Sequence, residues 1–405
     1  MAPRAEYALT SSEKLLLRCI SATTSVTQLE HEVANTELDW LAFWGMAGQQ
    51  HVQPLVARAL ASDRLKVHLP AEALPDLKAS RLETTIHNLA SQAELAAIRA
   101  LLQERGIPII PLKGTHLAWR LFGALDARRC GDIDILVPEE TWDIAYDLLM
   151  DYGYRPMASP RPGVQRHAFH GVPLLRIANG RGFVVELHRQ LSDPRFLTID
   201  HAALWRRALM EGARDGYTYA LPTEELLLFL ALHLPKHDLG LLRLLADIDH
   251  LVSAERMTID WDYLMTLAAD WRAETLLYFG LEWATILLGT PLPGAVRRRL
   301  QPSWERRFLV PFLTGPRAIL RPPAPVHLRA NRYRIAYCLM LTPLRTMLQS
   351  YWYYILAPPM NASEHACGRL IQSLRRPFDG VAWTSLAVGS AIRDHRRSKP
   401  QLLEC

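Results

Sequence analysis

Cysteine is scarce in this chain of 405 residues and shows no pattern. Cys19, Cys130, Cys338, Cys367 and Cys405 are widely scattered, odd in number and without a C-x-x-C pair. The spacing argues against a zinc site. Free thiols of this kind are typical of proteins from a reducing compartment.

Long apolar segments and a large net charge are also missing. The first residues, Met-Ala-Pro-Arg-Ala-Glu, contain no apolar signal segment. The most apolar later run, residues 351–359, is too short to cross a bilayer. We therefore expect a cytoplasmic protein without a membrane span. The net charge of +5 is mild for this length and lies partly around residues 393–399, so a dedicated binder of duplex DNA is disfavoured.

The whole chain is 49% hydrophobic and 21% charged, which is ordinary for a globular protein. Apolar residues at helical spacing predict helices from Ser11 and over 38–60, 81–105, 224–233, 239–252, 261–288 and 333–356. Strands and helices alternate between 107 and 191. We predict an N-terminal helical region (1–105), a mixed core (106–221), a second helical region (222–325) and a C-terminal helical extension (326–405). The Pro-rich link 321–325 marks the last boundary.

The centre of the mixed core is the segment 131–137, Gly-Asp-Ile-Asp-Ile-Leu-Val. With strand periodicity, Ile133, Ile135 and Val137 face one way, and Asp132 and Asp134 face the other. Two neighbouring carboxylates repel each other, and strands disfavour Asp. A divalent cation such as Mg²⁺ would compensate the charge. Alternatively, both carboxylates are solvated on an edge strand.

An anion-binding feature precedes this strand. Residues 107–112 predict a short buried strand, Lys113-Gly-Thr115 closes it, and an amphipathic helix follows. A helix N-terminus preceded by Lys and Gly offers backbone N–H groups, a dipole end and an ammonium. A metal-binding strand beside this turn indicates a metal–triphosphate site, and a basic cleft there would explain part of the net charge.

A third carboxylate follows in the next strands. After a helix over 138–152, residues 166–177 and 183–188 predict two strands joined by the turn Asn179-Gly180. A mixed sheet built from them would bring Glu186 beside the Asp pair. The alternative is a Glu that faces solvent or pairs with Arg189.

Three segments in this order carry a family resemblance: Leu112-Lys-Gly-Thr-x-Leu-Ala118, Arg128-x-x-Gly-Asp-Ile-Asp-Ile-Leu-Val137 and Val185-Glu-Leu-His188. The chain resembles a group of bacterial uncharacterised nucleotidyltransferases in the DNA-polymerase-β-like superfamily, most strongly over residues 106–191. The resemblance implies an α+β fold, with a small mixed β-sheet core between helical regions. It also implies one or two Mg²⁺ ions and an NTP donor.

The reaction implied by the resemblance moves a nucleoside monophosphate to a hydroxyl or phosphate and releases pyrophosphate. The acceptor would be a small molecule, a peptide or a protein, with nucleic acid less favoured. Asp132, Asp134 and Glu186 would hold the metal, and Glu186 would help deprotonate the acceptor. Two rival hypotheses remain: a non-catalytic nucleotide-binding scaffold, and a transferase using another activated phosphate or sugar nucleotide in natural-product or polysaccharide biosynthesis.

The nucleotide would be held by Lys113, Gly114, Thr115 and Arg128. Lys-Gly-Thr replaces the Gly-Ser or Gly-Gly that is frequent in the superfamily, so Lys113 either contacts phosphate or pairs with Asp132. A Cβ at Gly114 would crowd the phosphates. Arg128 either holds the triphosphate or bridges to Asp134.

Histidines give weaker signals. His188 shares the strand face of Glu186 and is either a neighbour of the site or a satisfied strand histidine. His233 and His237 are four residues apart, which is metal-ligand spacing, but Pro235 interrupts the turn and zinc is disfavoured.

The resemblance suggests instead that this helix lines the cleft, with Lys236 and His237 touching phosphate, ribose or acceptor; Arg243 and Asp247 follow it. The alternative is a core or capping role. The aromatic run 351–354 could stack a base, dock a partner or pack in the core.

Overall fold

A computed structural model describes residues 9–157, 170–194, 196–210, 219–234, 241–321, 335–341 and 346–348. It contains a small mixed β-sheet between N-terminal and C-terminal helices. The α+β class expected from the sequence is therefore confirmed.

From residue 9 onward, six helices precede the sheet, and the first two begin with capping boxes from Thr10 and Ser25. The predicted helical residues 38–60 form two helices, because His51, with a φ of 55°, interrupts the helical path. The predicted helix 81–105 begins earlier, at Ala73, and runs for 31 residues. The helices are α1 Ser11–Ile20, α2 Val26–Ala34, α3 Trp40–Gln49, α4 Gln53–Ala59, α5 Asp63–Lys66 and α6 Ala73–Gln103.

Within the described ranges, the sheet has five strands, numbered along the chain and lying in the order β1-β2-β5-β4-β3. They are β1 Ile110–Pro111, β2 Ile133–Leu136, β3 Arg155–Pro156, β4 Gly171–Ala178 and β5 Arg181–His188. β2 and β5 are parallel, and the other neighbours are antiparallel. Asn179 and Gly180 have φ values of 50° and 71°, as a two-residue type I′ hairpin requires, so the predicted hairpin is confirmed. The predicted strand 107–112 is shortened to two residues, and residues 166–169 lie outside the described part.

Two helices within this region flank the sheet: α7 Thr115–Phe122 and α8 Trp142–Asp151, the latter preceded by the 3₁₀ turn Glu139–Thr141. β2 is buried on both faces. Ile133, Ile135 and Val137 pack in a core with α6 and α8, whereas Leu136 packs in a larger core with α7 and the C-terminal helices. The alternation read from the sequence is therefore confirmed, and the Asp face of the sheet looks toward the C-terminal helices.

The described residues that follow the five-stranded sheet are mostly helical. A small two-stranded sheet, β6 Leu209–Met210 and β7 Tyr219–Ala220, follows the five-stranded sheet in the chain. The predicted single helix 261–288 is wrong, because Arg272 with a φ of 60° separates two helices. The helices are α9 His201–Arg207, α10 Thr223–His233, α11 Leu241–Glu255, α12 Trp261–Asp270, α13 Glu274–Leu288, α14 Gly294–Arg299, α15 Trp304–Thr314 and α16 Pro316–Leu320.

N-terminal and C-terminal helices share one hydrophobic core. The Ser21 hydroxyl donates to the Leu288 carbonyl over 2.7 Å, and the Ala22 N–H donates to Asp249 over 2.7 Å. Glu13 and Arg321 form an ion pair. Both helical regions thus support the sheet together, while the four-region division drawn from the sequence stays a prediction.

Several expectations fall wholly or largely outside the described residues: the aromatic run 351–354, the basic tail 393–399, most of the predicted helix 333–356, and all but Arg321 of the Pro-rich link. None of the described helices is both long enough and apolar enough to span a membrane.

Candidate active site

The register of β2 and β5 brings the three predicted carboxylates together. Asp134 lies directly opposite Glu186 in the parallel pair, and Asp132 immediately precedes β2. One ligand oxygen from each of Asp132, Asp134 and Glu186 can be chosen so that all three lie within 4.8 Å of one another. This spacing allows the three carboxylates to contact one divalent cation.

Asp134 is the most buried member of the group, with 1% of the residue exposed. Its Oδ1 atom lies 3.3 Å from the Lys113 ammonium and 3.3 Å from His188 Nε2. Burial alone would raise the pKa of Asp134, but the charges of Lys113 and His188 outweigh it and hold the pKa well below its usual range. Asp134 is therefore ionised, and its buried Oδ2 atom has no hydrogen-bond partner among the described residues.

The pKa of Asp132 is shifted in the opposite direction to that of Asp134. Burial and the neighbouring negative charge of Asp134 raise its pKa, and Lys113 only partly offsets them. The surroundings of Asp132 therefore disfavour a second carboxylate charge beside Asp134. A bound divalent cation would stabilise the ionised pair.

Glu186 lies at the open side of the site, with 29% of its side chain exposed. His188 Nε2 lies 3.5 Å from its Oε2 atom. Burial would raise the pKa of Glu186, but His188 lowers it overall. Burial would likewise lower the pKa of His188, yet Asp134 and Glu186 raise it to about 9. His188 therefore bridges two of the carboxylates, and no pairing of Glu186 with Arg189 is seen among the described contacts.

The Lys-Gly-Thr turn packs directly against the start of β2. Gly114 has a φ of 69° and precedes α7, whose first residue, Thr115, is buried. A Cβ at Gly114 would lie 2.8 Å from Cys130 Sγ and 3.3 Å from the Asp132 carbonyl oxygen. Glycine is thus favoured by the positive φ and by the close approach of Cys130 Sγ, independently of any phosphate. Lys113 reaches Asp134 rather than Asp132, and its ammonium lies 5.8 Å from the centre of the Phe229 ring on α10.

Arg128 has a different partner from either one considered in the sequence. Its Nε atom donates to Asp247 over 2.9 Å and its Nη2 atom over 3.0 Å, and Nη1 lies 3.5 Å from the Gly114 carbonyl. Only 3% of the Arg128 side chain and none of the Asp247 side chain is exposed. The bridge to Asp134 is therefore absent, and Arg128 ties the Gly114 turn to α11.

One residue that sequence reasoning did not single out supports this arrangement. Asn88, fully buried on α6, donates to the carbonyls of Leu125 and Arg128 over 2.6 and 2.8 Å. Its side-chain oxygen accepts from the Cys130 N–H over 2.9 Å. Asn88 thus holds the loop that delivers Asp132. No sequence signal marks it, because a polar residue within a helix ordinarily faces solvent.

Arg243, on α11, supplies a further positive charge near the Asp pair. Burial and the neighbouring Arg128 lower its pKa, while Asp247 and Asp132 oppose this. Its Nε atom is buried without a hydrogen-bond partner among the described residues. The sequence places Arg243 one turn before Asp247 on α11, but only the fold shows that this helix faces the carboxylates.

Of the histidine cluster at the end of α10, the structure describes His233. Lys236 and His237 lie outside the described residues. His233 is buried, and its Nδ1 atom donates to the Phe229 carbonyl over 2.9 Å. Within the described part of the chain, His233 belongs to no group of potential metal ligands.

The comparisons with known proteins agree with this geometry. A family model described as "uncharacterised nucleotidyltransferase" matches residues 36–289. The match includes the sheet, the three carboxylates and helices α7 to α13. Searches of the curated proteins and of the solved structures found no match. Because the family model covers more than half of the chain, this protein belongs to the uncharacterised nucleotidyltransferase family.

Proposed function

We propose that this transferase uses Mg²⁺ to move a nucleoside monophosphate from an NTP to a hydroxyl or phosphate of an acceptor, with release of pyrophosphate. The observation that carries the proposal is the convergence of Asp132, Asp134 and Glu186 on one space within 4.8 Å. A small molecule or a peptide is the favoured acceptor.

The donor set suits a hard cation. Carboxylate oxygens are the ligands that Mg²⁺ prefers, and the buried Asp134 Oδ2 atom is without a hydrogen-bond partner among the described residues. Asp132 and Asp134 would hold the metal, and Glu186 would complete the set. When bound, Mg²⁺ supplies charge stabilisation for the triphosphate during transfer.

The phosphates would bind beside the Lys113 turn, next to the Asp pair. The Lys113 ammonium already lies among the carboxylates, and the turn at Gly114 leads into the N-terminus of α7. Thr115 would contribute its backbone N–H. Arg243, whose Nε atom is buried, would supply a second cation.

Arg128 would act as a positioning residue. Its guanidinium is buried and occupied by Asp247, so it would fix the Gly114 turn and α11 rather than touch the nucleotide. Lys236 and His237 stay candidates for acceptor or ribose contacts on the sequence argument alone.

The chemical step would rely on positioning and charge rather than on covalent catalysis. The acceptor oxygen would attack the α-phosphorus, a new P–O bond would form, and the bond from the α-phosphorus to the pyrophosphate oxygen would break. Glu186 would accept the acceptor's proton. Its side chain is partly exposed, and its lowered pKa keeps it ionised and able to accept a proton, although as a weaker base than an ordinary Glu.

The test measures binding and transfer separately. Thermal shifts are recorded with non-hydrolysable analogues of the four NTPs and with sugar nucleotides, each with and without Mg²⁺. Transfer of α-phosphate label and pyrophosphate release are then measured with a cell extract that supplies the acceptor. We expect one NTP to give the largest Mg²⁺-dependent shift and to release pyrophosphate.

Matched variants identify the residues. Asp132→Asn combined with Asp134→Asn should abolish transfer, whereas Glu140→Gln, which changes an exposed carboxylate nearby, should leave it unchanged. Full transfer by the double variant would refute the assignment. NTP binding without pyrophosphate release would favour a scaffold, and a larger shift with a sugar nucleotide would favour a different donor.

A further inference from the structure

A second group of potential metal ligands lies beside the Asp pair. Ligand atoms of His170, Glu186 and His188 lie within 4.8 Å of one another. The two imidazole rings are 6.0 Å apart between centroids. The backbone of His170 is fixed to the end of β5, because its carbonyl accepts from the Arg189 N–H over 2.9 Å.

His188 is oriented as a metal-bound histidine usually is. Its Nε2 atom lies 3.3 Å from Asp134 Oδ1, and its Nδ1 atom is buried with no hydrogen-bond partner among the described residues. Metal-ligating histidines typically donate one ring N–H to a carboxylate, which directs the other nitrogen at the metal. A buried nitrogen without a partner otherwise costs free energy.

Gly171 leaves space for a metal ion beside His188 and Glu186. A Cβ there would lie 2.7 Å from His188 Nδ1 and 2.8 Å from Glu186 Oε1. Gly171 is not among the glycines with a positive φ, so the backbone conformation does not require glycine. The nitrogen and the carboxylate oxygen therefore converge on a space that exists only because residue 171 has no side chain.

We propose that His170, Glu186 and His188 bind a divalent transition metal of the Zn²⁺ and Co²⁺ class. Two imidazoles and one carboxylate favour these ions over Mg²⁺, which prefers oxygen ligands. Three protein ligands leave an open coordination position. A metal ion bound at His188 Nδ1 would replace the proton on that atom. The site needs no nucleotide, so its existence does not depend on nucleotidyl transfer.

The test uses the full-length protein without nucleotide. Co²⁺ is titrated and followed by visible absorption, and Zn²⁺ binding is measured by calorimetry. We expect one tight equivalent per chain. His170→Ala, which removes a ligand, and Gly171→Ala, which fills the space, should each weaken binding at least tenfold. Asp132→Asn and His68→Ala, which change a carboxylate of the Asp pair and an exposed histidine, should bind as the wild type does.

Three results would overturn the proposal: no tight equivalent in the wild type, unchanged binding by His170→Ala, or an equal loss in Asp132→Asn. The last would place the metal on the Asp pair. X-ray absorption of the wild-type Zn²⁺ complex gives a test that needs no variant. Two imidazole ligands are expected, and fewer than two would contradict the assignment.

Discussion

The buried Arg128–Asp247 pair predicts a large effect on the stability of the protein. Two guanidinium nitrogens of Arg128 bind Asp247 at 2.9 to 3.1 Å, and almost nothing of either side chain is exposed. Arg243 adds a second guanidinium near the same carboxylate. Replacing Asp247 with Asn would leave these cations buried without their counter-charge.

Removing one partner of a buried pair typically costs about 3–5 kcal/mol, because the remaining charge stays out of water. We expect Asp247→Asn to lower the free energy of unfolding by about that amount, as measured by urea denaturation followed through tryptophan fluorescence. The matched control is Asp262→Asn, which breaks the exposed ion pair with Arg299 and should change stability little.

The double variant Arg128→Met with Asp247→Leu separates charge from packing. Replacing a buried pair with apolar residues of similar size is often neutral or stabilising. We therefore expect the double variant to recover part of the stability lost by Asp247→Asn, because Arg243 still lacks its counter-charge. A loss of less than about 1 kcal/mol in Asp247→Asn would refute the view that this pair is desolvated.

Further predictions concern the turn, the histidine and the supporting helix. Gly114→Ala should lower the unfolding free energy by about 1–3 kcal/mol through backbone strain, and further through the clash with Cys130 Sγ. Gly106→Ala should cost less, because Gly106 has a similar φ but open space around it. Equal losses in the two variants would contradict this. In the metal-free protein, NMR titration should place the His188 pKa at about 9. The stabilisation from protonated His188 is then complete below pH 6.5, the ordinary pKa of histidine, and is lost as the pH rises through about 9. A His188 pKa near 6.5 would be inconsistent with this. Asn88→Ala should cost about 1–3 kcal/mol for each of the three backbone groups left unpaired, and wild-type stability in urea would disprove the role.

The sheet and its carboxylates could be predicted because local patterns encode them. Period-two alternation assigns Asp132 and Asp134 to one face, and the Asn179-Gly180 turn fixes the hairpin that returns Glu186. Once these strands pair, the convergence of the three acidic side chains follows from register alone.

The partners of the charged residues could not be predicted in the same way. Arg128 and Asp247 are 119 residues apart, and only the packing of α11 against the sheet brings them together. Asn88 acts through backbone groups that carry no sequence identity. The breaks at His51 and Arg272 were missed because neither position holds glycine, the residue that most readily adopts a positive φ.

The central claim is that Asp132, Asp134 and Glu186 hold Mg²⁺ against the phosphates of a nucleotide. A crystal structure with a non-hydrolysable NTP and Mg²⁺ tests it most directly. We predict a metal in contact with the carboxylates of Asp132 and Asp134, including Asp134 Oδ2, with the triphosphate at the Lys113 turn. A nucleotide and metal bound elsewhere, with Asp134 still contacting only Lys113 and His188, would contradict the account.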